Sequence, residues 1–270
     1  MFVFTNVINA GERRKRKDWK SFLVCSIILD MLGFLRRYRR YKKLMKEIEP
    51  YGLKFSRNSN LDSIKEIFID RIYTLYPDFM PKENYRIVDA GAQHGDYTLL
   101  CASMGSKVIA FEPLSRNIEI LQENIRLNIK YAGLILVFPE ALGSRREVKE
   151  MFYAENSNTD YVTAMAQALQ TDNKEMISQT DLDFLVIDRL DILKIDVEGF
   201  ELDVLKGAVN TIKQFHPKII IETHSSRLES EVKSFLSSLG YELVHEGRSI
   251  YNPDSEFDKI TNLFFTHKSI

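Results

Sequence analysis

The residues best suited to chemistry are acids and one histidine that each stand at the end of a short apolar run. They are Asp89, Glu112, Asp196, Glu198, Glu222 and His224. Carboxylates and imidazole accept protons and hydrogen bonds. In an open sheet of parallel strands, ligands bind at the carboxyl ends of the strands. If the apolar runs are neighbouring strands, these side chains therefore face one ligand-binding edge.

The segment 86–95 predicts a turn between a buried strand and a helix. Asp89 ends the strand, Gly91 and Gly95 follow it, and helical sequence begins at Tyr97. Glycines let backbone approach a ligand closely, but the Gly-x-x-x-Gly spacing does not fit the Gly-x-Gly-x-x-Gly fingerprint of dinucleotide sites. A pyrophosphate cradle is therefore disfavoured, and an acid before the first glycine suits a ligand that carries an ammonium group.

Glu112 closes the next apolar run, 23 positions after Asp89. An acid about 20 residues beyond the glycine turn, at the end of the second strand, is placed to accept hydrogen bonds from both ribose hydroxyls. Acids are common at strand ends, so neither residue means much alone. Together, with the glycine turn between them, they predict a nucleoside site.

Strands and helices alternate through most of the chain after residue 60. The apolar runs predict strands at Lys107–Phe111, Leu134–Phe138, Leu190–Ile195, Lys218–Ile221, Tyr241–His245 and Asn262–Thr266, besides the one that ends at Asp89. Apolar residues at helical spacing predict helices at Leu61–Tyr76, Ser115–Ile129, Glu201–Phe215 and Glu229–Leu239. Such alternation indicates a parallel sheet covered on both faces. Because only a loop separates the last two strands, we predict an α/β fold with a seven-stranded, mostly parallel sheet and one antiparallel strand.

Two segments interrupt the alternation. Residues 51–60 contain Gly, Ser and Asn and predict a linker. Residues 143–188 predict extra short strands at Glu147–Tyr153 and Tyr161–Met165. Insertions of this kind usually lie over the carboxyl ends of the strands, where ligands bind.

Charge divides the chain into a basic extension, residues 1–50, and an acidic domain, residues 51–270. The extension holds 13 Lys/Arg and 5 Asp/Glu, which gives it a charge of +8. Because the net charge of the whole chain is −1, the domain carries −9. The apolar run 21–35 is short for a bilayer span and contains Asp30. We favour a helix that packs on the domain or on a second subunit. The alternative is that residues 13–43 lie on an anionic membrane surface.

The acidic domain argues against nucleic acid as the main ligand. Only two cysteines are present, Cys25 and Cys101, and both lie in apolar runs, so a disulfide framework is not expected. No small-residue cleavage site follows the apolar run. We therefore expect a reducing, cytoplasmic location, with peripheral membrane contact as an option. The sequence contains no motif that indicates the oligomeric state.

Several of these motifs resemble the FkbM-type family of class I S-adenosylmethionine-dependent methyltransferases. The similar segments are 87–98, 108–113, 124–128, 141–143 and 193–201, and the resemblance covers roughly residues 55–270. The string Lys-Ile-Asp-Val-Glu-Gly is fairly specific to that family, whereas the glycine turn is shared by the whole superfamily. Gln93 departs from the pattern, because the family usually has Asn there.

The resemblance implies a Rossmann-like class I methyltransferase fold and O-methylation of a hydroxyl on a sugar, a glycan or a related small molecule. It also implies a cofactor site in which Asp89 faces the methionine part, Glu112 the ribose and residues 140–142 the adenine edge. The full expected set for the cofactor is Asp89, Gly91, Gln93, Gly95, Glu112, Pro113, Asn117, Glu140, Ala141, Leu142 and Asp196.

The catalytic residues that the resemblance implies lie across the predicted sheet from the glycine turn. Glu198, Glu222 and His224 are candidates for the general base that accepts the hydroxyl proton, and Asp196 would orient the donor or the acceptor. A weaker alternative places a divalent metal on Asp196, Glu222 and His224. Our leading expectation includes no metal.

Two other functions remain as alternatives. An NAD-dependent reductase is disfavoured by the missing Gly-x-Gly-x-x-Gly and by the lack of a Tyr-x-x-x-Lys pair. A non-catalytic nucleoside-binding or membrane-associated protein would not need acids at both 196 and 198. The sequence does not name the methyl acceptor.

Overall fold

A computed structural model of the chain describes residues 32–153, 173–251 and 259–268. The chain divides into two compact units, Met1–Lys46 and Glu47–Ile270. A helix, α1, is described from residue 32 to its end at residue 47. Most of the apolar run 21–35 lies outside the described residues. Of the helices in the described parts of the chain, none has the length and apolarity needed to cross a membrane.

The second unit is built on a seven-stranded sheet. Its strands are β1 (Arg86–Ala90), β2 (Lys107–Phe111), β3 (Ile135–Phe138), β7 (Ile192–Ile195), β8 (Lys218–Thr223), β9 (Tyr241–Tyr251) and β10 (Lys259–His267). Across the sheet they lie in the order β3-β2-β1-β7-β8-β10-β9. Strand β10 runs antiparallel to both β8 and β9, and the other pairs are parallel. A connection without a helix cannot make the crossover that parallel neighbours need. The predicted fold class is confirmed.

Helices follow most of the parallel strands. They are α2 (Leu61–Lys65, continued by a π-helical turn over Glu66–Asp70), α3 (Asp96–Ser103), α4 (Ser115–Leu127), α5 (Glu201–Lys206), α6 (Val209–Phe215) and α7 (Ser226–Ser238). Short 3₁₀ turns occur at Glu49–Tyr51, Pro77–Phe79, Ile129–Leu134 and Leu182–Phe184. The central strands β1 and β7 are almost wholly buried, because elements cover both faces of the sheet. This rigid centre positions the residues at its carboxyl edge.

All four predicted helices differ from the observed ones in their bounds. The helix predicted at Glu229–Leu239 begins earlier, at Ser226, and ends at Ser238. The helix predicted to run to Tyr76 ends at Asp70, because Arg71 takes a left-handed conformation with φ 58°. The helix predicted to Ile129 ends at Leu127, which is 42% exposed rather than inward. The helix predicted over 201–215 is interrupted at Gly207, where a Cβ would lie 1.9 Å from a backbone oxygen of Gly143.

The prediction that residues 51–60 form a linker is wrong. Leu53 and Phe55 are buried. The backbone N–H of Ser56 donates to Asn124 Oδ1 at 2.7 Å, and that of Lys54 donates to Asn128 Oδ1 at 3.0 Å. These hydrogen bonds tie the segment to α4, so it is part of the domain.

A second, three-stranded sheet follows β3. Its strands are β4 (Ala141–Leu142), β5 (Glu147–Phe152) and β6 (Lys174–Thr180), in the order β4-β6-β5. The strand predicted at Glu147–Tyr153 is observed as β5, whereas the one predicted at Tyr161–Met165 lies outside the described residues. Strand β6 was not predicted. Met151 and Ile177 pack with Leu114, which anchors this sheet to the domain.

Candidate functional site

A cavity of about 300 Å³ lies at the carboxyl ends of the central strands. Its walls come from the β1–α3 turn, the ends of β2, β7 and β8, the helix α2 and one face of the second sheet. This is the edge at which open α/β sheets bind ligands. Most of the residues predicted for the site converge here.

The β1–α3 turn brings bare backbone to the cavity wall. Gly91 has φ 78°, and a Cβ on it would lie 1.8 Å from the backbone oxygen of Asp196. Gly95 has φ 83°, and a Cβ there would lie 2.1 Å from Leu121 Cδ1. Neither position accepts a side chain without displacement of its neighbours. The two predicted glycines are therefore required by close packing at the first and by helix contact at the second.

Glu112 holds this turn in place. Its side chain is 4% exposed. One oxygen accepts the backbone N–H of Gln93 at 2.9 Å, and the other accepts the N–H of Leu114 at 3.0 Å and the amide of Asn117 at 3.1 Å. Burial raises the pKa of Glu112 to about 7, although these hydrogen bonds oppose the rise. The carboxyl group lines the cavity and retains acceptor capacity for a ligand hydroxyl.

Asp89 lies behind the cavity wall. Its Oδ2 accepts the hydroxyl of Thr98 at 2.6 Å, and its Oδ1 is 3.0 Å from Lys194 Nζ. Lys194 also donates to the backbone oxygen of Gly91 at 2.9 Å. Asp89 thus acts on the turn through Lys194 and does not face the cavity directly.

The eleven residues predicted for the cofactor fall into two groups. Those on the cavity wall are Gly91, Gln93, Glu112, Pro113, Asn117, Ala141, Leu142 and Asp196. Asp89, Gly95 and Glu140 are described residues that do not line it.

The four residues predicted to be catalytic meet at the ends of β7 and β8. His224 is 4% exposed. Its Nε2 lies 3.3 Å from Glu198 and 3.7 Å from each of Asp196 and Glu222. Its Nδ1 lies 2.9 Å from Oε1 of Glu201. One imidazole is therefore surrounded by four carboxyl groups, which we call the His224 cluster.

Crowding of carboxylates shifts the pKa values in the His224 cluster. Burial alone would lower the pKa of His224, but Glu198 and Glu201 outweigh it and raise that pKa well above its usual value. Burial and the like charges raise the pKa of Glu198 to about 8, although 28% of its side chain stays exposed, and that of Glu222 to about 7. The cluster therefore binds protons at neutral pH.

Three functional candidates were not predicted. Tyr73 donates to Asp196 at 2.7 Å and lies 3.3 Å from Glu222; its position depends on the left-handed Arg71. Glu201 is the last residue of the family-like segment 193–201, so a search of that segment for a partner of His224 could have found it. Asp96 lies on the cavity wall directly after Gly95, and only its place beside the turn hinted at a role.

The fold and the site define a methyltransferase of the Rossmann-like class I type. A model of the Methyltransferase FkbM domain matches residues 89–243, more than half of the chain. The chain belongs to this family, and the predicted resemblance is confirmed.

Curated relatives carry matching names. The chain is 29% identical to "Methyltransferase 1" of Beauveria bassiana over 212 residues, which cover 70% of this chain and 84% of that protein. It is 26% identical to "Methyltransferase sdnD" of Sordaria araneosa over 231 residues, which cover 73% and 87% of the two chains. A solved structure of a methyltransferase FkbM from Methylobacillus flagellatus is similar at 18% identity with a TM-score of 0.49, covering 86% of this chain and 60% of that one.

Proposed function

We propose that the protein transfers a methyl group from S-adenosylmethionine to a hydroxyl oxygen of a small molecule, with a sugar or glycan as the favoured acceptor class. The observation that carries this proposal is the His224 cluster, which shares one cavity with the glycine turn and Glu112. A proton-binding group and a nucleoside-binding wall are the two parts that such a reaction needs.

The charge of the cavity supports a cationic cofactor. Its described carboxyl groups are Asp62, Glu66, Asp96, Glu112, Asp196, Glu198 and Glu222, and its described amines are Lys149 and Lys194. S-adenosylmethionine carries a sulfonium and an ammonium group, whereas the pyrophosphate of NAD is an anion. An acidic wall attracts the first and repels the second. The cavity therefore disfavours the reductase alternative.

The residues present fit the parts of this cofactor. Gly91 leaves room for a ligand against bare backbone, and Glu112 offers carboxylate oxygens to the ribose hydroxyls. We keep Ala141 and Leu142, which line the cavity, for the adenine edge. The cofactor supplies an electrophilic methyl group when bound. The protein then has to hold an acceptor oxygen in line and take up its proton.

We assign proton uptake to Glu198, Glu222 and His224 acting together. Carboxyl oxygens of Glu198 and Glu222 lie 3.3 and 3.7 Å from His224 Nε2, so the three groups titrate as a coupled set. Glu201 fixes the orientation of the imidazole through Nδ1, as an orienting carboxylate does for a catalytic histidine. Asp196, held by Tyr73, would orient the acceptor.

A methyl-transfer screen tests the proposal. The purified protein is incubated with methyl-labelled cofactor and with sugars, glycans and other small hydroxyl compounds, and the isosteric variant Glu198→Gln serves as the matched control. We expect transfer to a hydroxyl that the variant does not support. Transfer to nitrogen or carbon acceptors alone would contradict O-methylation.

Metal-assisted transfer is the second candidate, and one observation favours it. Atoms of Asp196, Glu198 and His224 lie within 4.8 Å of one another. An imidazole held by a carboxylate at Nδ1 is the usual support of a metal ligand at Nε2. The set includes Glu198 in place of the Glu222 expected from the sequence. Calorimetric titration with Mg²⁺ and Mn²⁺, before and after chelation, would show saturable binding if this candidate holds.

For the N-terminal extension we retain both proposals, with packing on the domain or on a second subunit ranked first. In support of the membrane alternative, α1 exposes Leu32, Phe34 and Leu35 to 44%, 65% and 42%, directly before Arg36 and Arg37. Apolar side chains beside arginines are typical of helices that lie on anionic lipid.

A further inference from the structure

The second sheet contributes a wall of the cavity that differs in charge from the others. Its described residues on that wall are Ala141, Leu142, Lys149, Met151, Ile177 and Gln179, and of these Lys149 alone is charged. The carboxyl groups of the cavity come from α2 and its π-helical turn, from the start of α3 and from the ends of β2, β7 and β8. The second sheet therefore presents a single positive charge to the cavity.

Two uncharged neighbours hold Lys149 in place. Its Nζ donates a hydrogen bond to Gln179 Oε1 and lies 4.8 Å from the centre of the Phe200 ring. Gln179 is 4% exposed, and its Nε2 donates to the backbone oxygen of Arg145 at 2.9 Å, which leaves Oε1 to face Lys149. The ammonium group is thus positioned by an amide oxygen and by the face of an aromatic ring, and both attract a cation without neutralising it.

Lys149 has no carboxylate partner within the described parts of the chain, because the nearby acids of β5 are paired elsewhere. Glu147, on the same face of the strand, pairs with Arg145 at 2.8 Å, and Glu150, on the opposite face, pairs with Lys174 at 2.8 Å. An ammonium group has three N–H groups, and Gln179 accepts one of them. The remaining N–H groups and the whole positive charge are available to a ligand in the cavity.

Lys149 lies beside the loop that carries the His224 cluster. Phe200, whose ring faces its ammonium group, is two positions after Glu198. The apolar residues on the same face of the sheet pack against Leu114, two positions after Glu112. A methyl acceptor has to place its hydroxyl at the His224 cluster, so the adjoining part of the acceptor is the part that would contact Lys149.

We propose that Lys149 binds an acid group, a carboxylate or a phosphate, on the methyl acceptor. This inference rests on the proposed function and narrows its acceptor class to hydroxyl compounds that carry such a group, such as sugar acids and sugar phosphates. An anionic oxygen accepts charge-assisted hydrogen bonds from the remaining N–H groups and supplies the counter-charge that the second sheet lacks.

Calorimetry on the protein saturated with S-adenosylhomocysteine, the product left after methyl transfer, tests the inference with three probes. They are glucuronate, glucose 6-phosphate and the neutral glucose, so the two acids also separate a carboxylate from a phosphate. We expect saturable binding of at least one acid, and Lys149→Gln should weaken it by about 10- to 100-fold, the effect of lost charged hydrogen bonds. Binding of glucose should change by less than about 3-fold.

Two further variants make the comparison specific. Lys149→Arg keeps the charge and the N–H groups, so it should restore binding of the acid. Lys174→Gln is the matched control, because it removes an amine that lies on the same sheet but does not line the cavity. It should leave binding of the acid unchanged. Equal losses in Lys149→Gln and Lys174→Gln, equal losses for the acid and glucose, or no binding of either acid would overturn the inference.

The cofactor also carries a carboxylate, so its own affinity is measured separately. Lys149→Gln should keep S-adenosylhomocysteine and 5′-methylthioadenosine, which lacks the amino-acid part but retains the ribose and adenine, within about 3-fold of the unmodified protein. A loss confined to S-adenosylhomocysteine would assign Lys149 to the cofactor and overturn the inference, while the proposed function would stand. Failure of the unmodified protein to bind S-adenosylhomocysteine would overturn the proposed function and the inference with it.

Thermal denaturation checks that the variant folds. Lys149 is half-buried and forms no ion pair with a described carboxylate, so Lys149→Gln should unfold cooperatively, as the unmodified protein does. If it does not fold, Lys149→Met takes its place in the same comparison. That variant must show the same selective loss of acid binding, and an unchanged affinity for the acid would overturn the inference.

Discussion

Glu112 and Glu198 are both acids at the ends of strands on one cavity, but their surroundings differ. Glu112 accepts hydrogen bonds from three N–H donors, the backbone of Gln93 and Leu114 and the side-chain amide of Asn117 on α4. Glu198 lies in a cluster where carboxyl groups outnumber the single imidazole. Fixed hydrogen-bond donors around Glu112 make a preformed binding wall, whereas the crowded carboxyl groups around Glu198 hold protons. We call the part of the cavity at Glu112 the donor end, because it would bind the methyl donor, and the part at the His224 cluster the acceptor end. The two ends thus differ in their electrostatics.

The largest expected effect comes from the acceptor end. His224→Asn and Glu198→Gln should each lower the rate of methyl transfer by about 10²- to 10⁴-fold, the usual contribution of general acid–base catalysis. Affinity for S-adenosylhomocysteine should stay within about 3-fold, because neither residue meets the adenosine wall. Single-turnover rates and calorimetry measure the two quantities. A loss of cofactor affinity as large as the loss of rate would break the division between the two ends.

Substitution at the donor end should lower the affinity for the cofactor products, which substitution at the acceptor end leaves nearly unchanged. Glu112→Ala should weaken both S-adenosylhomocysteine and 5′-methylthioadenosine by about 10- to 100-fold, because both contain the ribose. Glu198→Ala should weaken them less. Calorimetry on the two variants makes the comparison. If Glu198→Ala cost more cofactor affinity than Glu112→Ala, our assignment of the two ends would be wrong.

The N-terminal helix should affect neither end. Replacement of Arg36, Arg37, Arg39 and Arg40 by Gln should lower association with anionic liposomes by at least about 10-fold if the membrane proposal holds, because each basic residue contributes about 1 kcal/mol near such a surface. Affinity for S-adenosylhomocysteine should not change. Sedimentation with anionic and with neutral vesicles tests this point. Equal association of both proteins with anionic vesicles would leave packing on the domain or on a second subunit as the remaining proposal.

The smallest expected effect is on the pH dependence of the protein's stability. The pKa of Glu198 rises from 4.5 to about 8 in the folded protein, with His224, Asp196, Glu222 and Glu201 facing it. A raised pKa contributes stability that is present below the ordinary value of 4.5 and is lost as pH rises through about 8.

His224 acts in the same direction, since its raised pKa adds stability that disappears at high pH. The unfolding temperature should therefore fall as pH rises from about 5 to about 8, and Glu198→Gln should reduce that fall by roughly 3 °C. The exposed Glu231→Gln is the control. If the unfolding temperature of Glu198→Gln fell with pH as steeply as that of the unmodified protein, Glu198 would not be protonated in the folded His224 cluster.

Much of the donor end could be predicted from the sequence because its signals are local. The strand before Asp89, the spacing of Gly91 and Gly95, and the acid at 112 all lie within one βαβ unit. Short buried strands also have a strong apolar signature. The positions of the sheet strands followed from these patterns.

What could not be predicted depends on distant contacts. Arg71 in a left-handed conformation brings Tyr73 to Asp196, 123 positions away, and nothing in the local sequence indicates it. The neutralisation of Asp89 by Lys194 is another contact across strands, 105 positions apart. Because that contact was not visible, Asp89 was predicted to face the methionine part of the cofactor, whereas it lies behind the cavity wall.

The central claim is that the cavity binds the nucleoside of a methyl donor through the wall at Gly91 and Glu112. Calorimetry of the unmodified protein with S-adenosylhomocysteine and, separately, with NAD tests it most directly. We predict saturable binding of S-adenosylhomocysteine and no binding of NAD, because the cavity is acidic and its glycine turn does not suit a pyrophosphate. Binding of NAD without binding of S-adenosylhomocysteine would contradict the account.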